Sequence, residues 1–97
     1  MQVSVRFFTM LREITGKREE TLKFPNSKPA TVNTVLKQLV KEYGKDLNEY
    51  VYDAKTGKAK SFLQFLVNGR SIATPKGLDT KLTDGDVLAI IPPVGGG

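Results

Sequence analysis

The chain ends Ile90-Ile91-Pro92-Pro93-Val94-Gly95-Gly96-Gly97, and the group best placed to do chemistry is the carboxylate at that end. Pro92 and Pro93 each hold φ near −65° and lack a backbone donor, so the segment cannot continue as a paired central strand. It should leave the preceding strand extended, in a polyproline-like course. Gly95, Gly96 and Gly97 carry no Cβ, so such a tail can thread a narrow channel and bring its carboxylate against another backbone or a phosphate. From Pro92 to Gly97 its reach is at most about 20 Å, at roughly 3.3 Å per extended residue. Terminal glycines on their own often mark nothing more than a frayed end. The Pro-Pro pair abutting a strong strand points instead to a built tail.

The remaining residues narrow the chemistry further. The chain has no cysteine and no histidine. There is thus no disulfide, no thiol nucleophile and no thiolate or imidazole for a metal, and the commonest general base is missing. No metal site and no bound cofactor are expected, nor a self-contained hydrolase or redox enzyme. At 97 residues, with 39% hydrophobic and 26% charged, the chain has the size and make-up of one globular domain with a single core. No apolar run approaches the ~18 residues of a membrane span and no signal peptide opens the chain, so a cytoplasmic location without a membrane partner is expected. The net charge is +5, but the fifteen Lys and Arg are scattered from Arg6 to Lys81, and only Lys55, Lys58 and Lys60 form a loose cluster. That pattern reads as a solvated surface, or one that meets an acidic partner protein, rather than a nucleic-acid footprint.

The elements that must position the tail follow from periodicity. Gln2 to Phe8 alternates, with Val3, Val5 and Phe7 on one side and Gln2, Ser4 and Arg6 on the other, as in a half-buried strand; Phe8 falls on the polar side. Thr9 to Gly16 reads as a short helical turn closed by glycine, with Leu11 and Ile14 over one end of the core. Glu19 to Phe24 forms a second strand returning as a hairpin, and Pro25 to Pro29 a loop. Thr31 then caps the main helix, in which Val32, Val35, Leu36, Leu39, Val40 and Tyr43 make one apolar stripe up to Gly44. Lys45 to Lys60 is the least readable stretch: Leu47, Tyr50 and Val51 suggest another turn, Asp53 to Lys58 an exposed loop. Phe62 to Val67 is strand-like, Asn68-Gly69 is a hairpin signal, and Arg70 to Ile72 answers it. Asp79 to Asp86 supplies turns before the last strand, Val87 to Ile91.

A sheet packed on one main helix is the smallest two-layer solution at this size. The fold class is α+β, and the element order describes a ubiquitin-like β-grasp: a mixed sheet on one main helix at 1–91, then an extended flexible Gly-Gly tail at 92–97.

Residue patterns add a family. Val5-Arg6-Phe7-Phe8-Thr9-Met10-Leu11-Arg12-Glu13-Ile14-Thr15-Gly16 resembles the opening of the MoaD family, the small sulfur-carrying subunit of molybdopterin synthase, within the MoaD/ThiS superfamily. Val67-Asn68 resembles its middle strand. Leu82-Thr83-Asp84-Gly85-Asp86 and Pro92-Pro93-Val94-Gly95-Gly96-Gly97 resemble its C-terminal L-x-D-G-D and P-P-V-x-G-G motifs. The likeness runs along the chain in order, apart from Lys45 to Ser61, where nothing matches. Ile90 and Ile91 stand where bulky aromatics often precede Pro-Pro.

The resemblance implies a non-catalytic carrier. A carboxylate is a poor electrophile, so an E1-like enzyme using ATP would adenylate Gly97, with Gly96 beside it, and a sulfur donor would convert the adenylate to a thiocarboxylate. The sulfur would then go to a pterin precursor in the large, MoaE-like synthase subunit. Docking would fall to an apolar patch of Phe8, Leu66, Ile91 and Pro92, continued by Pro93, Val94 and Gly95. Alternation alone places Leu88 and Ile90 inside and Val87, Ala89 and Ile91 outside. Two alternatives stay open. One is a ubiquitin-like protein modifier, or a sulfur carrier for tRNA or thiamine thiolation, sharing the same fold, tail and activation. The other is a β-grasp binding module with no tail chemistry. A β-grasp ferredoxin is excluded, since no cysteine is available for a cluster.

Overall fold

The alternation of the first strand becomes β1 (Gln2–Phe7), with Val3, Val5 and Phe7 buried. The computed structural model describes residues 1–72 and 76–92. β1 turns through α1 (Met10–Thr15) into β2 (Glu19–Lys23), which pairs antiparallel with it, Gln2 opposite Lys23 and Arg6 opposite Glu19. The last strand, here β7 (Val87–Ile91), runs parallel to β1 with Phe7 opposite Ile90. On its other side β7 pairs antiparallel with β4 (Gln64–Val67), and β5 (Arg70–Ile72) completes the sheet in the order β2-β1-β7-β4-β5. The last strand thus lies at the centre, as a β-grasp requires.

The main helix, α2 (Val32–Tyr43), begins where the sequence places its cap: Thr31 Oγ1 accepts from the Thr34 N–H at 3.2 Å, and Thr34 Oγ1 accepts from the Thr31 N–H at 3.1 Å. Val32, Val35, Leu36 and Leu39 are fully buried in one cluster with Val3, Val5, Phe7, Phe65, Leu88 and Ile90. Each such side chain contributes about 2 kcal/mol of burial. Val40 and Tyr43, the end of the predicted stripe, are only partly buried. There the helix overhangs the sheet: the Tyr43 ring meets Phe7 edge-on at 6.3 Å, and its hydroxyl donates to Glu20 on β2.

Gly44 serves two helices. Its N–H closes α2 on the Val40 carbonyl at 2.7 Å and its own carbonyl accepts from Asn48, starting α3 (Lys45–Val51). Its φ of 79° and ψ of −147° form a combination open essentially to glycine alone. The stretch least readable in sequence is therefore a helix, with Leu47 and Val51 buried, followed by a turn pinned by the Tyr52–Ala59 bridge. A second sheet also escapes periodicity: β3 (Ala30–Thr31) pairs antiparallel with β6 (Lys81–Leu82), which follows a 3₁₀ turn at Lys76–Asp79. No helix among the described residues is long and apolar enough to cross a membrane.

Candidate functional site

The candidate site is the outer face of β7 and its neighbours, at the end where the chain passes into Pro92. Leu88 and Ile90 are fully buried, whereas Val87, Ala89 and Ile91 face outward and are half-buried, as alternation predicts. Across the ladder Leu66 lies opposite Ala89, and Gln64 opposite Ile91. Neighbouring strands lie about 4.8 Å apart, so Leu66, Ala89 and Ile91 form one continuous apolar strip down the centre of the sheet. Pro92 continues it and is half-exposed. Pro93, Val94, Gly95, Gly96 and Gly97, the remaining predicted site residues, lie outside the described residues.

Phe8 is placed differently from expectation. β1 ends at Phe7 rather than running through Phe8, because the backbone turns at Thr9, whose φ is 46°. A β-branched residue held at positive φ stores strain of order 1–3 kcal/mol. The Leu11 and Arg12 N–H groups, bonded to the Phe8 and Thr9 carbonyls at 3.0 and 2.9 Å, fix the turn. Phe8 is left half-buried just past the Phe7–Ile90 pair, beside the end of β7. The Arg12 guanidinium lies over its ring at 5.5 Å from the centroid, and Arg12 Nε donates to the Phe7 carbonyl at 3.1 Å. Sequence reasoning missed Arg12, because Phe8 precedes α1 and helical spacing does not pair the two side chains. Phe62 also departs from expectation: the Leu63 N–H bonds back to Lys60, so the strand starts at Gln64 and Phe62 stands 52% exposed in the turn before it.

At the opposite end of β7 a polar clamp sets the strand's register. Asp86 Oδ1 accepts from Asn68 Nδ2 at 2.9 Å, while Asp86 Oδ2 accepts from the Thr83 N–H at 2.8 Å. Asn68 Oδ1 accepts from the Val87 N–H at 2.9 Å, and the Gln2 N–H donates to Asp84 at 2.7 Å. The Thr83 N–H, then the Asn68 amide, hold the Asp86 carboxyl below its ordinary range despite partial burial. The L-x-D-G-D residues therefore act structurally, tying β1, the β4–β5 turn and β7 together. Among the described residues no cluster of acidic side chains is arranged to hold a metal, and no buried side-chain nitrogen or oxygen lacks a partner.

The site is thus an apolar strip flanked by arginine, leading along a rigid central strand into the Pro-Gly segment. The family model that matches residues 5–97 is that of the ThiS family. The chain is 34% identical over 97 residues, all of both chains, to small archaeal modifier protein 3 of Haloferax volcanii. It is 29% identical, again over the whole of both chains, to the sulfur carrier protein CysO of Mycobacterium tuberculosis. The crystal structure of SAMP1 from Haloferax volcanii superposes over 100% of both chains with a TM-score of 0.83 at 29% identity. A Pyrococcus furiosus structure provisionally assigned as molybdopterin converting factor, subunit 1, does so over 97% of this chain and 99% of that one, with a TM-score of 0.74 at 27% identity. The chain belongs to the ThiS family, on a ubiquitin-like β-grasp.

Proposed function

We propose that the chain is a ubiquitin-like carrier whose Gly97 carboxylate is the working group. An E1-like enzyme binds the outer strip of the sheet and draws the tail into its site. There the carboxylate oxygen attacks the α-phosphate of ATP, releasing pyrophosphate and leaving an acyl-adenylate. Hydrosulfide released by a sulfur donor, or a lysine amine, then attacks the acyl carbon, loses a proton and displaces AMP. The first route yields a thiocarboxylate for sulfur transfer, the second an isopeptide-linked modifier. The carrier contributes position rather than acid-base chemistry.

The observation that carries this reading is the continuity of the half-exposed strip Leu66–Ala89–Ile91 with Pro92, which supports a partner's docking at the root of the tail. The whole-chain likeness to a modifier and to a sulfur carrier favours general carrier chemistry, as modifier or as sulfur donor for thiolation, over one dedicated pathway. A second reading, the small subunit of molybdopterin synthase docked on a large MoaE-like subunit, is supported by the P-P-V-x-G-G ending and by the Pyrococcus likeness.

Mass spectrometry of the protein purified from its own host tests the proposal. A gain of about 16 Da at the C-terminus, sulfur for oxygen, marks a sulfur carrier, and Gly97 joined to lysines of other proteins marks a modifier. A terminus found only as the free carboxylate, under conditions where the E1-like enzyme is active, would overturn both in favour of a binding module.

A further inference from the structure

We propose that the notch where β1 meets β2 is a carboxylate-binding site, and that it receives an acidic segment of the activating enzyme beside the apolar strip. The notch encloses about 280 Å³ and is lined by Arg6, Phe7, Phe8, Arg12, Arg18 and Glu19. Three arginines and one glutamate line it, so its net charge favours an anion. Arg12 is held in place: Nε is bonded to the Phe7 carbonyl at 3.1 Å and the guanidinium lies over the Phe8 ring. Its two terminal nitrogens remain to grip a carboxylate in the bidentate manner that arginine's planar fork allows. Among the described residues Arg6 is engaged only by Glu19, at 3.5 Å, with both side chains more than half exposed. Such a pair is weak, and an incoming carboxylate can displace Glu19 from it.

Position selects a protein over a free anion. The Phe7 N–H bonds to the Arg18 carbonyl at 2.9 Å, and Phe7 lies opposite Ile90, so the notch sits beside the strand end that leads into Pro92. Phe8 lines the notch and follows directly on the Phe7–Ile90 pair, which lies one residue before the strip's Ile91 in register. A free phosphate would leave the apolar strip uncovered, whereas a protein segment with an acidic side chain covers both. The identity of the partner rests on the carrier reading, and the anionic chemistry of the notch does not.

The test is calorimetric binding of the full chain to the host's E1-like enzyme. Arg12→Glu with Arg18→Glu should raise Kd about tenfold or more, the scale of a broken interfacial charge pair. Lys37→Glu with Lys55→Glu changes net charge equally, but on the separate cleft beside α2, and should leave Kd within about threefold. Arg12→Lys should bind several-fold more weakly than wild type, since an ammonium cannot form the bidentate pair. Melting curves should show every variant folded at the assay temperature, with the Arg12 variants lowered slightly by loss of the bond to the Phe7 carbonyl and the lysine variants matching wild type. No binding of the wild-type chain, an unchanged Kd in the arginine variant, or equal losses in both double variants would each overturn the inference. Enzyme that binds wild type in this pattern but never adenylates Gly97 would leave the notch standing and remove the carrier chemistry instead.

Discussion

Asn68 and Asp86 are joined side chain to side chain at 2.9 Å, and through that bond the β4–β5 turn is fastened to the start of the central strand. Asn68 sits at φ 51°, in the left-handed region that the tight turn demands and that asparagine tolerates, with Gly69 following at φ 83°. One residue thus shapes the hairpin and, through its amide, sets where β7 begins. Asp86 answers with two further bonds to Thr83, from the N–H at 2.8 Å and from Oγ1 at 3.2 Å.

The clamp predicts an acid dependence of stability. Asp86 is held below its ordinary pKa, first by the Thr83 N–H and then by Asn68. A carboxyl lowered in the folded state adds stability that is present above its unfolded value, near about 3.9, and is lost as pH falls through the folded value. Asp86→Asn should therefore cost about 1 kcal/mol at pH 7, and the gap to wild type should narrow in acid well below the unfolded pKa. Denaturant unfolding at the two pH values measures it. A gap that stays constant with pH would remove the carboxylate from this role.

These residues show where sequence reasoning reached and where it stopped. The α2 stripe, the alternation of β1 and β7 and the Asn68-Gly69 turn were all legible, because each rests on a local period or a local backbone requirement. The Asn68–Asp86 bond was not, since it joins residues 18 apart through a fold not yet known. α3 was read only as a turn because seven residues burying Leu47 and Val51 show less than two turns of period. The paired strands Ala30–Thr31 and Lys81–Leu82 are too short to alternate. Phe8 was read as the end of the first strand, which stops at Phe7, and the Arg12 side chain over its ring depends on the turn at Thr9, which no pattern in the chain encodes.

Tyr43 predicts the alkaline counterpart. Burial, then hydrogen bonds to Glu20 and Glu42, push its hydroxyl well above the ordinary tyrosine range. The neutral hydroxyl thus adds stability that is complete below the unfolded pKa, near about 10, and is lost as pH rises toward the folded value. Tyr43→Phe keeps the edge contact with Phe7 and removes the bond to Glu20, so it should cost about 1 kcal/mol at neutral pH. In an absorbance titration the variant should lack the latest-ionising phenol of the wild type. Retention of that phase would assign it to another tyrosine.

On the outer face, Leu66→Asp and Ile91→Asp should each change folding stability by about 1 kcal/mol or less, because both side chains already meet solvent. Binding to the activating enzyme should fall far more, since a charge in the desolvated centre of an interface is costly. Melting and binding measured on the same preparations separate the two effects. Loss of several kcal/mol of stability in the isolated protein would show that the strip serves the fold and not a partner.

The tail yields the sharpest test. On the proposed carrier reading the transferable sulfur is held at the Gly97 carboxylate, since the chain has no cysteine to hold a persulfide. Deleting Gly97 leaves a chemically similar terminus at Gly96 but shortens the reach by about 3.3 Å. Adding alanine after Gly97 keeps the reach, moves the carboxylate outward and sets a methyl on the terminal α-carbon. Misplacement by about 1 Å can already cost roughly a hundredfold in rate, so both variants should fail in ATP-dependent adenylation and sulfur loading. Neither should shift the melting curve, since the described core extends only to Ile90. Pyrophosphate exchange with the cognate E1-like enzyme, with melting as control, gives the answer. If both variants load at wild-type rates, Gly97 is not the working group, and the apolar strip must be understood as the surface of a binding module.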